Sequence, residues 1–261
     1  MTRLALWLRL DPLLHGATLA LLAYAAMLPF AMVADQRTVL GVDPWIKPQK
    51  FAISIAIFLA TAAWLIRAHH VGPTFASVVR WVLFATMVVE IVLLSLQSAR
   101  GVRSHFNVGA HIDGTIYGVM GVAVVIATLA MLVLACAPLR SLSEGGPAGP
   151  ATRLGIRMGE ALFLLGCAWG AYVAPRTGHS VGGEDGGPGL PYVNWSTRHG
   201  DTRVAHFVLL HALQALPLLG MLIDALRWPR ALIAGGAASL LALSIALATQ
   251  ALRGLPMLRL P

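Results

Sequence analysis

The sequence predicts an all-α membrane protein, a bundle of seven transmembrane helices in one domain spanning residues 1–261. Three observations lead there. Of the 261 residues, 57% are hydrophobic and 11% charged, against about 45–50% and 25% in a soluble domain. The mean hydropathy is +0.75. The apolar residues also gather into seven runs, each close to the roughly 20 residues that a bilayer crossing requires.

The runs follow in order. The first, 13–33, comes after Arg3 and Arg9 and is long enough for a retained helix rather than a cleaved signal peptide. The second, 50–68, follows DPWIKPQKF at 43–51, and the third is 78–98. RGVRSHFNVGAHIDG at 100–114 leads into the fourth, 115–137. SLSEGGPAGPA at 141–151 reads as a flexible linker to the fifth, 155–174. A glycine-rich loop at 175–202, long enough to serve as a lid, precedes the sixth, 203–223. The last run is 230–252.

Seven crossings place the termini on opposite sides. One side carries plain connections, and the other carries all three irregular polar segments. The net charge of +8 would suggest nucleic acid in a soluble protein. Here the 19 Lys and Arg are scattered through short loops, so no nucleic-acid partner is expected and lipid headgroups are the natural counter-charge. They split nine on the plain side to ten on the elaborate side, so the positive-inside rule does not choose an orientation. The basic residues of the elaborate side sit within compact motifs, and discounting them turns the plain side to the cytoplasm. Trp7, Trp64, Trp81 and Trp228 fall near one interface and Trp45, Trp169 and Trp195 near the other, as aromatic belts do. Cys136 and Cys167 give no disulfide framework.

Ionisable residues inside a span cost at least about 2.5–3.5 kcal/mol at the centre, so each needs a partner or a task. The third span carries Glu90 and Gln97 on one face, and the sixth carries His206, His211 and Gln214. At 1.5 Å per residue, Glu90 and His211 both lie roughly 12 Å below the elaborate surface. Gln97, His206, Arg100, Arg103, His105, His111 and Asp113 lie above them. Lys50 opens the second span, where a cation opposes the helix dipole and calls for a carboxylate such as Glu90 or Asp113.

This polar funnel carries the functional expectation. His105, His111, His206 and His211 are candidate metal ligands, suited with a carboxylate to Zn, Fe or Mn; a helix histidine is alternatively an axial haem ligand. His206 and His211, five residues apart, point about 140° from one another and do not chelate one ion as an i,i+4 pair does. Glu90 and Asp113 are the candidate acid–base or catalytic groups. Lys50, Arg100, Arg103 and Trp195 are candidates to bind a cofactor or an anionic group, with the 175–202 loop covering the site. The expected partner is lipid-soluble, a quinone or a lipid. Two other classes stay open, a proton-coupled transporter and a receptor or assembly subunit; nothing in the sequence sets the oligomeric state. Asp113 and Asp201 are also N-cap candidates, Glu160 pairs with Arg157 three residues earlier, and Pro217 is expected to kink the sixth span.

The motifs DPWIKPQKF, RGVRSHFN, GHSVGG, PGLPYVNWSTRHGD and RVAHFVLLHALQALPLLG, taken in order, resemble a group of uncharacterised bacterial seven-helix membrane proteins. The resemblance implies a multi-pass protein of the bacterial inner membrane with its motif-rich face in the periplasm, and it transfers no functional residue. Ser104, His105 and Asp113 are reminiscent of the seven-helix zinc hydrolases that include adiponectin receptors and alkaline ceramidases, but the seventh span lacks their histidines. It also lacks the Schiff-base lysine of microbial rhodopsins, which excludes that reading.

Overall fold

The computed structural model describes residues 10–140, 148–176 and 178–258. Arg3, Trp7, Arg9 and the linker stretch 141–147 lie outside the described residues. Seven helices are long and apolar enough to cross a membrane: α1 Pro12–Ala34, α2 Ile46–Ala68, α3 Pro73–Ala99, α4 His111–Cys136, α5 Pro150–Val173, α6 Arg203–Leu226 and α7 Ala231–Leu252. The protein is therefore a multi-pass, all-α membrane protein. Several helices start earlier than the apolar runs do, because their first turns are polar or proline-led. Pro73 and Pro150 each open a helix, where the missing N–H would have no partner anyway.

The chain divides into two compact units, residues 1–138 and 139–261. In the first, α1 to α4 pack consecutively. Asp11 caps α1 by accepting the Leu14 N–H at 3.1 Å, and its other oxygen takes the Arg80 guanidinium of α3 at 2.5 Å. At the opposite end the α1–α2 loop is fixed to α3. Arg37 makes a two-pronged pair with Asp35 at 2.7 and 2.8 Å and donates to the Ala99 carbonyl, the last residue of α3, at 3.1 Å. A cation there complements the negative end of the helix dipole. Trp45 Nε1 also donates to Asp35 at 2.9 Å. The Arg37 hydrogen bonds, then that of Trp45, hold the Asp35 carboxyl well below the usual carboxylate range.

In the second unit α5 and α6 form the most extensive helix pair, and α7 covers α6. The pair meets backbone to backbone. A Cβ on Gly159 would sit 2.8 Å from the Ala212 carbonyl, one on Gly166 would sit 2.9 Å from the Leu209 Cβ, and one on Gly220 would sit 2.5 Å from the Thr152 Cα. Gly155 stands equally close to Leu216. Small residues let membrane helices approach this closely, which is how packing replaces the hydrophobic drive absent in lipid. Gly149, the N-cap of α5, has no side chain to offer. Asp224, from the last turn of α6, does the capping instead, accepting the Ala151 and Thr152 N–H groups at 3.0 and 2.9 Å and the Thr152 hydroxyl at 2.6 Å. Pro217 is buried inside α6, which runs unbroken past it to Leu226.

Residues 178–202 of the long loop are folded. The ends of this stretch pair as a two-residue antiparallel ladder, β1 Ser180–Val181 with β2 Gly200–Asp201, and Gly189 bridges to Ser196. Gly200 packs so closely on the Ala251 backbone that no Cβ fits there. The segment is thereby anchored to the end of α7.

Candidate functional site

Unit one holds a buried polar cluster at the α3–α4 end. Glu90 faces the interior from α3 with 3% of its surface exposed. Nine residues before the helix end, it lies about 13 Å along the axis from Ala99. Its partner comes from the following loop. His105 reaches back so that Nε2 lies 3.6 Å from Glu90 Oε1. Glu90 Oε2 is buried without a hydrogen-bond partner. Irregular backbone near membrane depth persists only where protein surrounds it, and this loop is held on both flanks.

The holding groups are Gln97, Arg100 and Asp113. Gln97 Nε2 donates to Asp113 at 3.1 Å, and Arg100 pairs with Asp113 at 2.5 Å and also donates to Gln97 Oε1. Asn107 Nδ2 donates to the Arg103 carbonyl at 2.9 Å, closing the loop on itself. Phe106, immediately after His105, adopts a left-handed backbone at φ 57°, the tight bend that returns the chain toward α4. Asp113 and Arg100 thus tie the loop to the helix ends, and Asp113 sits in the first turn of α4 rather than at its N-cap, Ala110.

His105 itself is well fixed. Its Nδ1 lies 3.1 Å from the Ser104 hydroxyl, and its ring stands 5.7 Å from those of both Phe51 and Tyr117. Burial, and then the Lys47 charge, hold the imidazole well below its ordinary range, so it is neutral at pH 7. Lys47 lies within electrostatic reach of both Glu90 and His105. Lys47 is a charged neighbour of the pair that the sequence reading did not single out. The apolar run begins at Lys50, but proline is tolerated in a first helical turn, so the helix begins at Ile46 and carries Lys47 in its first turn. Lys50 lies in the same turn of α2, half-buried. His111 is exposed at the start of α4.

His206, His211 and Trp195 belong to unit two. His206 Nδ1 donates to the Gly166 carbonyl of α5 at 2.9 Å, and its ring fills the space that Gly170 leaves. His211 Nδ1 donates to the Phe207 carbonyl at 2.9 Å, with its ring stacked 4.0 Å from that of Phe207. Trp195 meets Phe207 edge-on at 5.4 Å. Since a carbonyl only accepts, each histidine donates from Nδ1. Glu160 lies 3.8 Å from Arg157, the partner expected, but its side chain is buried rather than on the helix surface.

The folded loop has its own polar centre. Asp185 accepts the Ser180 N–H at 2.9 Å and lies 3.2 Å from His179 Nδ1. Asp201 takes Arg203 through Nε at 2.9 Å and Nη2 at 2.6 Å, and accepts the Ser196 N–H at 3.0 Å. Burial pushes the Asp201 carboxyl up, but the Arg203 hydrogen bonds and charge outweigh it and leave the group below the usual range. Among the described residues, no three or more His, Cys, Asp or Glu side chains converge as a metal site would require.

No protein-family model, no curated protein and no solved structure matches this chain.

Proposed function

We propose that this is a bacterial inner-membrane protein, its motif-rich face in the periplasm, that exchanges protons at Glu90 in order to act on a lipid-soluble partner such as a quinone or a lipid. One observation carries the reading. A buried carboxylate inside a membrane span has a neutral imidazole 3.6 Å from one oxygen and no hydrogen-bond partner on the other. Intramembrane ionisable groups are expensive and mark functional pathways. In this scheme His105 passes protons between Glu90 and the loop surface, Lys47 compensates charge on the carboxylate, and Arg100, Asp113 and Gln97 hold the loop in place.

The test is pH-difference infrared spectroscopy on the purified protein in detergent. Titration of Glu90 gives a carboxylic-acid carbonyl band that disappears in Glu90→Gln and moves in His105→Gln. A difference spectrum unchanged by Glu90→Gln would overturn the reading.

A second reading, a metal or haem bound through His206 or His211, is favoured by their tautomer. Ligating histidines donate their other ring N–H to a carbonyl or carboxylate, as both do here. It predicts visible absorption or bound Zn, Fe or Mn that is lost in His206→Ala or His211→Ala. A colourless, metal-free wild-type preparation would sink it.

A further inference from the structure

Unit one also contains an open groove of about 500 Å³ between α1, α2 and α3, away from the polar cluster. Its size falls within the roughly 300–1,000 Å³ of small-molecule sites. Ala20 and Tyr24 of α1, Leu59 of α2, and Phe84, Val88 and Ser95 of α3 mark its walls. On α3 the groove runs from Phe84 to Ser95, about 16 Å along the axis. That is an elongated shape. Its α3 lining lies roughly 130° around the helix from Glu90, so it is a separate feature. The walls belong to membrane-spanning helices, and Val88 and Val92 on its rim are 40% and 56% exposed.

The lining is apolar except for two hydroxyls, which are bonded to each other. Tyr24 Oη and Ser95 Oγ are 2.7 Å apart, and Ser95 donates to the Ile91 carbonyl at 2.7 Å. The Ser95 proton is therefore committed to Ile91, and Tyr24 must donate to Ser95. Both hydroxyl protons are used within the protein. What the pair still offers is the lone pairs of the Tyr24 oxygen, an acceptor in an otherwise hydrocarbon surface. An acceptor in that setting selects a ligand with an O–H donor.

We infer that this groove binds a long-chain alcohol, a single aliphatic chain lying along α3 with its hydroxyl donating to Tyr24. The inference does not rest on the proton-exchange reading, since it uses another face of α3 and none of the polar cluster.

The test places the full chain in nanodiscs of phosphatidylcholine, whose headgroup has no O–H or N–H donor. The probe is a diazirine-bearing octadecanol, with labelled peptides located by mass spectrometry. Labelling is expected on the peptides carrying Tyr24 and Ser95, with unlabelled octadecanol competing roughly five- to tenfold better than its methyl ether, the discrimination of one hydrogen bond. Tyr24→Phe should erase that preference while leaving chain binding. Ala20→Phe should fill the groove and abolish labelling, with Ser95→Ala, which frees Tyr24 to donate elsewhere, as a milder variant that also flattens the preference. Three results would overturn the inference: equal competition by alcohol and ether, labelling spread over all lipid-facing helices, or a groove closed by a second copy, seen as a dimer that no probe labels. Circular dichroism of each variant separates loss of binding from loss of fold.

Discussion

Replacing Gly220 by alanine tests the backbone contact between α5 and α6 directly. The new Cβ would lie 2.5 Å from the Thr152 Cα, 2.7 Å from the Ala151 carbonyl oxygen and 2.8 Å from the Thr152 nitrogen. Ordinary carbon–carbon contact is about 3.5–4.0 Å, so the helices must separate by roughly 1 Å. All three atoms are backbone, and no rotamer change relieves the clash. Overpacking of this kind costs about 1–3 kcal/mol, and the better helix propensity of alanine returns up to about 1 kcal/mol. The net effect is a destabilisation of about 1–2 kcal/mol. Gly235→Ala on α7 is the matched control, because a Cβ there meets nothing within 4 Å; it should stabilise by about 0.5–1 kcal/mol. The two variants should therefore differ in Tm by roughly 3–12 °C, at about 2–4 °C per kcal/mol for a chain of this size. Thermal unfolding followed by circular dichroism in one detergent reads the difference. If Gly220→Ala unfolds at or above the temperature of Gly235→Ala, the close packing of α5 on α6 is wrong.

Other outcomes follow from the same contacts. Asp224→Ala removes the cap that α6 supplies to α5 and should cost about 1–2 kcal/mol in the same assay, while Asp224→Asn, which still accepts, should cost less. His105 has a folded pKa below its unfolded value near 6.5, so the unfolded chain takes up its proton first. The stability of unit one should be complete above about pH 6.5 and fall as the pH drops from there, and His105→Gln should flatten that slope in denaturant titrations. Asp201→Asn removes the charge that holds Arg203 and loosens the folded loop; protease cleavage within 178–200 should accelerate while the helices stay resistant. The Asp201 carboxyl is held below its unfolded pKa, so its contribution is present above about pH 4 and is lost in acid.

The seven crossings were legible because each apolar run is nearly as long as its helix, and the ends differ where chemistry other than hydropathy decides. Lys47, Gln49 and Lys50 form a polar first turn on α2, as His111 and Asp113 do on α4, and a hydropathy reading stops short of both. The depth of Glu90 was legible from its distance to the end of α3. Its pairing with His105, rather than with a residue of another span, depends on a loop that folds back, and no local periodicity encodes that. The glycines of α5 at 155, 159, 166 and 170 carry a small-residue spacing that a search for polar residues passes over. Asp224 was invisible for a different reason: it caps a helix 73 residues away in sequence, and remote caps leave no local signature.

The link between Arg37 and Ala99 has a consequence for the order of assembly. The guanidinium lies in the loop after the first crossing, but the carbonyl it closes on belongs to the end of the third. The other partner of Arg37, Asp35, is two residues away, whereas Ala99 is 62 residues away, so the second contact requires α3 to be in place. The Ala99 contact therefore joins the first connecting loop to a helix that follows it by a whole crossing. An Arg37→Ala chain would lose little stability once folded, because the Arg37–Asp35 pair is solvent-exposed, but the loop would no longer be tied to the end of α3.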